Sequence, residues 1–359
     1  MSRALQLARR GLHTTHPNPR VGCVLVKGDA IIAEGWHMQT GGRHAEIHAL
    51  EVAGEDARGA DCYVTLEPCV HDGKTPPCTK ALIRAGVRRV IAAVIDPNPR
   101  VAGKGMAALK QAGIEAGSGL MEDEARALNP GFEMRMRNGR PYVRTKLAMS
   151  LDGKTALANG HSRWITAEAA RKDVQRLRAQ SSAIMTGIGT VLVDDPALTV
   201  RDVDTGGRQP LRVVIDPELK ISTEARMLKE PGRTLVFTLI QDAGKNNALS
   251  GDNTEVIMLS DKNRDAMLLP VLEYLASREE TNEVLVEAGA VLNGALLQAG
   301  LIDELVIYMA PHILGQDARG LFNIPAIEEM NKRVELKFVD IRMVGQDVRI
   351  TLKPVKREA

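Results

Sequence analysis

Residues 65–80 read TLEPCVHDGKTPPCTK. The run leading into it, CYVTL, has the β-branched and aromatic content of a buried strand, while CTKALIRAG, opening at Cys78 behind two prolines, spaces its apolar residues for a helix. Strand, loop, helix is therefore the local order, with Cys69 just past the strand and Cys78 at the helix entrance. Eight residues separate the two cysteines. Zinc-binding cysteine pairs typically stand two to four residues apart, so this stretch either holds no metal or places something useful between two ligands.

Outward from it the alternation continues. The pattern predicts a helix near residues 2–11, two strands in VGCVLVKGDAIIAEGWH around a Gly-Asp turn, and a helix from about Arg43. After the central stretch come strand RRVIAAVID, helix KGMAALKQAG, a short strand and a helix ending near Arg137. Strands alternating with helices predict a three-layer α/β/α sandwich. RNGRPYV, residues 137–143, is a Gly/Pro break that places a boundary at about residue 140, giving domains 1–140 and 141–359. The second part predicts strands at YVRTKLAMS, AIMTGIG, LRVVID, TLVFT, EVLVEAG, ELVIYMAP and VRITLKP, with helices at 167–180, 265–278 and 291–299. Between about 217 and 260 the pattern is weak. No internal repeat links the halves.

A chain of 359 residues with 44% hydrophobic and 26% charged content is long enough for two domains with their own cores. With 47 basic against 45 acidic residues there is no bulk attraction to nucleic acid or to a membrane, so any anion must be bound locally. The basic, amphipathic N-terminus lacks the apolar core of a signal peptide and no run of eighteen apolar residues occurs, which predicts a cytoplasmic protein. Four cysteines in such a chain are no disulfide framework. Cys23 in VGCVLV and Cys62 in DCYVTL sit in strand-like runs and are expected to be packed thiols, leaving Cys69 and Cys78 for chemistry.

In GGRHAEIHAL, His44 and Glu46 stand two apart at the start of a helix. One histidine and two thiolates would leave the fourth tetrahedral position open, as a catalytic zinc site requires. A protease-like pair of His44 and His48 is disfavoured because the glutamate is misplaced for it, and His48 is assigned to packing. Zinc lowers the pKa of water from 15.7 to about 7. Glu46, close to the ligand in sequence, is placed to shuttle protons in hydrolytic loss of an amine.

HPNPRVGCVLVK, HAEIHAL, YVTLEPC, GKTPPC and DPNPRVAGKG together resemble the bifunctional pyrimidine deaminase/reductase family of riboflavin biosynthesis, whose own pattern includes the long cysteine spacing. The resemblance spans essentially the whole chain and implies a cytidine-deaminase-like first domain. It implies His44, Cys69 and Cys78 as ligands of one zinc ion, Glu46 as proton donor, and Asn18, His37, His71 and Lys74 as contacts to a small phosphorylated pyrimidine.

In the second domain no G-x-G-x-x-G opens a helix. EVLVEAGAVLNGALLQAG instead reads as strand, glycine turn and helix, a geometry that aims backbone N–H groups at an anion. SLDGK, WIT, TVLVDDPALTVR and VEAG resemble the family's reductase domain, which implies a dihydrofolate-reductase-like α/β fold and NADPH as cofactor. The resemblance places the nucleotide against Ala148, Trp164, Thr190, Asp194 and the turn Gly289, Ala290, Val291, Leu292, Asn293, Gly294 and Ala295. It places the ribosyl phosphate against Ser162, Arg178, Leu198, Arg201 and Glu287, with the two arginines suited to clamp phosphate. A homo-oligomer, dimer or tetramer, is also implied. An RNA-editing deaminase is disfavoured by the balanced charge and 3% aromatic content, and a non-enzymatic zinc module by the open ligand position.

Overall fold

A computed structural model describes residues 1–70, 76–260, 263, 264 and 266–355. The chain divides into two compact units, Met1–Arg140 and Pro141–Ala359.

The first unit is built on a five-stranded sheet ordered β2 (Ala30–Trp36), β1 (Gly22–Lys27), β3 (Asp61–Leu66), β4 (Arg89–Val94), β5 (Glu115–Ser118). β1 runs antiparallel to both neighbours, whereas β3, β4 and β5 are parallel, so their C-terminal ends open on one side. Helices α2 (Ala45–Ala53), α3 (Cys78–Ala85) and α4 (Lys104–Gln111) share one apolar layer with the sheet through Ala45, Ala49, Leu82, Met106 and Leu109. Burying one such leucine stabilises the fold by about 1.5–3 kcal/mol. On the other face lie α1 (Ser2–Ala8), α5 (Glu122–Leu128) and α6 (Pro130–Asn138), through Leu5, Leu7, Ala125 and Phe132. The three-layer sandwich anticipated from the sequence is present. Where one helix ending near Arg137 was expected there are two, because Pro130 disfavours helical geometry at Asn129 and starts its own first turn. At Gly35 a Cβ would lie 2.3 Å from the Ala45 carbonyl oxygen, so only glycine lets α2 sit this close to β2.

The second unit centres on a nine-stranded sheet ordered β11 (Thr254–Met258), β10 (Thr234–Thr238), β9 (Leu211–Ile215), β8 (Ala183–Gly187), β12 (Glu283–Val286), β6 (Tyr142–Ser150), β13 (Glu304–Ala310), β16 (Asp347–Pro354), β15 (Leu336–Val344). Strands from β11 to β13 are parallel and the β16–β15 hairpin closes the edge antiparallel. A two-stranded ribbon pairs β7 (Lys154–Ala156) with β14 (Arg319–Gly320). The main core packs α11 (Leu268–Arg278) and α12 (Ala290–Gln298) on one face. The other face is covered by α7 (Glu168–Gln180) and by residues of α8 (Ile188–Asp194), α9 (Arg226–Lys229) and α10 (Ala243–Leu249). The weakly patterned region 217–260 thus holds short elements of four to seven residues around β10.

β15 was not anticipated. Phe338 pairs with Leu352 and Asp340 with Thr351, leaving Val339 as an extra residue, a bulge that breaks the two-residue period. Among the described residues no helix is long and apolar enough to cross a membrane.

Candidate active sites

The metal candidates meet where the parallel strands of the first unit end. His44 is the N-cap of α2, with extended backbone (φ −74, ψ 162), and Cys78 is the first residue of α3 behind Pro77. Cys69 follows the end of β3. His44 Nδ1 stands 3.2 Å from Cys78 Sγ and 3.6 Å from Cys69 Sγ, and all three donor atoms fall within 4.8 Å of one another. Tetrahedral zinc with bonds near 2.1 Å to nitrogen and 2.3 Å to sulfur separates such atoms by about 3.6 Å, so the donor set has the spacing and chemistry that zinc takes. The Cys78 thiol brings Cys69 down to about 4, and Cys78 in turn is pushed above the ordinary thiol range by Cys69.

Glu46, in the first turn of α2, is 4% exposed. Burial pushes its carboxyl up to about 7, opposed by the charge of His44 and reinforced by Cys69. His37 Nδ1 donates to the Arg43 carbonyl at 3.0 Å, which leaves Nε2 to accept from Asn18 Nδ2 at 3.1 Å. The His37 ring also meets His44 edge-on, with centroids 5.6 Å apart. The structure therefore joins Asn18, His37, His44, Cys69 and Cys78 in one chain of contacts. His71 and Lys74 lie outside the described residues. Cys23 and Cys62 are buried thiols in the core, and His48 packs its Cβ near Gly35.

In the second unit, Glu287 follows β12 and Arg178 lies in the last turn of α7. Arg178 Nε and Nη2 donate to the two Glu287 oxygens at 2.6 and 3.0 Å, while Nη1 donates to the Thr199 carbonyl at 2.9 Å. Three of its donors are thus committed within the protein. The Arg178 charge and hydrogen bonds hold the Glu287 carboxyl below its ordinary value even though burial, the largest influence, opposes this. Leu198 buries its side chain in the core with φ +47, so only its backbone is available to a ligand. Arg201 is exposed, and its backbone N–H donates to Gln175.

Trp164 is 69% exposed, with the Arg171 guanidinium 4.7 Å and that of Arg163 6.0 Å from its ring centroid. Arg163 also donates to the Asp194 carbonyl at 2.8 Å, which brings Trp164 and Asp194 into one neighbourhood; Ser162 precedes Arg163 and Trp164 in their loop. Thr190 and Asp194 lie on α8 after β8, and Ala148 on β6. Of the turn after β12, Gly289 and Val291 are exposed and Ala290 and Ala295 partly so. Leu292, Asn293 and Gly294 are buried: Asn293 bonds the carbonyls of Ala288 and Gly289, and a Cβ on Gly294 would meet the Asn323 oxygen at 2.1 Å. Of the seven residues expected to meet the nucleotide, Leu292, Asn293 and Gly294 therefore turn their side chains or Cα toward the protein.

Residues 141–350 match the family described as RibD C-terminal domain, and residues 1–94 match the cytidine and deoxycytidylate deaminase zinc-binding region. The riboflavin biosynthesis protein RibD of Escherichia coli is 50% identical over 97% of this chain and 96% of its own. This chain belongs to the RibD family. The solved RibD of Acinetobacter baumannii superimposes with a TM-score of 0.92 at 45% identity, covering 99% of this chain and 98% of that one. A Thermotoga maritima structure described as a diaminohydroxyphosphoribosylaminopyrimidine deaminase/5-amino-6-(5-phosphoribosylamino)uracil reductase superimposes with a TM-score of 0.88 at 35% identity, over 99% and 97% of the two chains. As a RibD protein, the chain is a bifunctional deaminase and reductase of riboflavin biosynthesis, with a cytidine-deaminase-like domain followed by a dihydrofolate-reductase-like one.

Two residues of this RibD chain take on roles that their sequence neighbours do not reveal. Lys146 lies on β6 beside the end of β12 and feels the charges of both Glu287 and Arg178, yet no hydrogen bond or ion pair holds its ammonium among the described residues. Burial lowers its pKa. The signal was a single lysine among the buried residues of YVRTKLAMS. The other is Glu67, two residues before Cys69.

Proposed function

We propose that the first domain removes an amine by hydrolysis from 2,5-diamino-6-(5-phosphoribosylamino)pyrimidin-4(3H)-one, and that the second reduces the ribosyl group of the product to ribityl with NADPH. The observation supporting the first half is the three-donor cluster of His44, Cys69 and Cys78 within 4.8 Å. Those residues would hold one zinc ion, which when bound supplies the nucleophile at neutral pH. Glu46, neutral or ionised near pH 7, takes the proton released by the attacking water on its carboxylate and passes it to a ring nitrogen. Glu46 then takes the second proton from the newly added hydroxyl and delivers it to the departing amine, so that the carbonyl forms as the C–N bond breaks, one water is consumed and one ammonia leaves. Asn18, fixed by His37, reads the pyrimidine edge, and His71 and Lys74 meet the phosphate end. A cytoplasmic setting, in which thiols stay reduced, suits the two ligand cysteines.

In the reductase, NADPH when bound would supply the hydride to C1′. Ala148, Trp164, Thr190, Asp194 and the exposed turn at Gly289 hold the nucleotide, with the N-terminal end of α12 favouring its phosphates. Glu287 orients the sugar, and Arg178 fixes Glu287 rather than clamping phosphate; Ser162, Arg201 and the Leu198 backbone remain for the phosphate end. Lys146, beside Glu287 and with no hydrogen-bond or ion-pair partner among the described residues, is the group best placed to deliver, in its protonated form, the proton that balances hydride addition. A paired assay tests both halves. Ammonia release from the diaminopyrimidine, followed by NADPH oxidation on the product, is expected; absence of either reaction in zinc-loaded protein overturns the corresponding half.

The chain self-associates through β15 in this reading. Leu336, Phe338, Val339, Ile341 and Met343 are exposed apolar residues, and the bulge keeps them on one face of the strand. They offer on the order of 500 Å² of apolar surface, so two copies bury roughly 1,000 Å², where specific interfaces begin. Sedimentation of a Phe338→Asp, Ile341→Asp variant is expected to show monomer where the parent shows dimer; a monomeric parent overturns it.

A further inference from the structure

The carboxylate of Glu67 lies two residues before Cys69 and is 3% exposed. Among the described residues no cation pairs with it. Instead it accepts four backbone N–H groups: Oε2 from Asp96 at 3.1 Å and Gly103 at 2.9 Å, Oε1 from Gly105 at 2.7 Å and Met106 at 3.1 Å. Three of these amides belong to the start of α4 and its cap, where the helix presents unsatisfied donors and its positive end. The charge is thus neutralised by the backbone of a segment 29–39 residues away in sequence.

The contact is close as well as polar. A Cβ on Gly105 would lie 2.2 Å from the Pro68 carbonyl oxygen, so α4 is pressed against the peptide that leads into Cys69. From the opposite direction Thr79 donates to the Cys69 carbonyl through its backbone N–H at 3.2 Å and its hydroxyl at 3.1 Å. Cys69 is held between α3, which carries Cys78, and α4, which is tied to Glu67.

We propose that Glu67 is a positioning residue for the metal centre. By anchoring the Glu67–Pro68 segment to the start of α4 it fixes the Cys69 thiolate at the separation from His44 and Cys78 that zinc requires. This rests on the reading of those three residues as zinc ligands. Glutamine cannot replace the carboxylate: its NH₂ would face two amide donors, whereas glutamate offers acceptor lone pairs to all four. Aspartate keeps the charge but falls one methylene short.

The test is metal affinity, measured on chelator-treated full-length protein titrated with zinc against a chromophoric competitor, alongside the absorption spectrum of the cobalt-loaded form. Glu67→Gln is expected to bind zinc 10–100-fold more weakly and to alter the cobalt–thiolate bands, with Glu67→Asp between it and the parent. NADPH-dependent reduction of the pre-deaminated substrate should be unchanged. If Glu67→Gln binds zinc like the parent with the same cobalt spectrum, even at a lower melting temperature, Glu67 is a purely structural residue and the proposal falls. A parent chain that takes up no stoichiometric zinc would overturn the metal reading itself. Where Glu67→Gln fails to accumulate, Glu67→Asp carries the same comparison.

Discussion

The two active regions are assembled on different principles. In the first unit the decisive groups sit at element ends within one stretch of sequence: His44 caps α2, Cys69 follows β3 and Cys78 opens α3. In the second, Arg178 and Glu287 are 109 residues apart and meet as an ion pair with side chains 13% exposed, with Lys146 brought alongside by strand pairing. A metal demands particular atoms at particular spacing, so its residues leave a motif. A nucleotide and a sugar can be met by backbone turns and by charges whose partners are distant, and that leaves little local trace.

The largest effect expected from this contrast is its separability. Stripping zinc with a strong chelator should abolish ammonia release while reduction of the pre-deaminated substrate continues; parallel loss of both would mean that the units depend on one another. Glu46→Gln should keep zinc, measured by metal analysis, and lower deamination by about 10²–10⁴-fold.

On the reductase side, Lys146→Met should lower kcat for reduction by about 10²–10⁴-fold with ammonia release untouched. Because burial depresses the Lys146 pKa, its donating, protonated form is lost as pH rises through a value below the ordinary lysine range. The reduction rate should therefore decline on the alkaline side earlier than an unperturbed lysine would allow, and a flat profile up to pH 10 would remove Lys146 from the mechanism.

Arg178→Ala leaves a carboxylate in a largely buried position and should destabilise the second unit by about 3 kcal/mol in denaturant unfolding, leaving zinc affinity unchanged. The smallest effect belongs to Trp164→Ala, exposed and flanked by two guanidinium groups. It should raise KM for NADPH several-fold with little change in stability.

What the sequence disclosed follows the same division. The three-layer first unit was legible because its strands are apolar runs punctuated by glycine, and its candidate metal cluster because His-Ala-Glu and Pro-Cys are local patterns. Glu67 stood in plain view inside TLEPC, but its partners are amides at Asp96, Gly103, Gly105 and Met106, and no periodicity reports which amides a carboxylate will find. Arg178 was expected to clamp phosphate; its commitment to Glu287 and Thr199 depends on where α7 packs against the sheet. β15 escaped because its extra residue shifts the alternation halfway along, and α10 because seven residues are too few to establish a period.

The bulge at Val339 has one more consequence. An outermost strand with an unbroken row of amides invites a neighbour to add itself, and that neighbour invites another, the route by which sheets grow into fibres. Here the row is interrupted at its middle while the greasy side chains stay aligned on one side. The strand can be covered flat by a single matching surface, but it makes a poor template for open-ended growth.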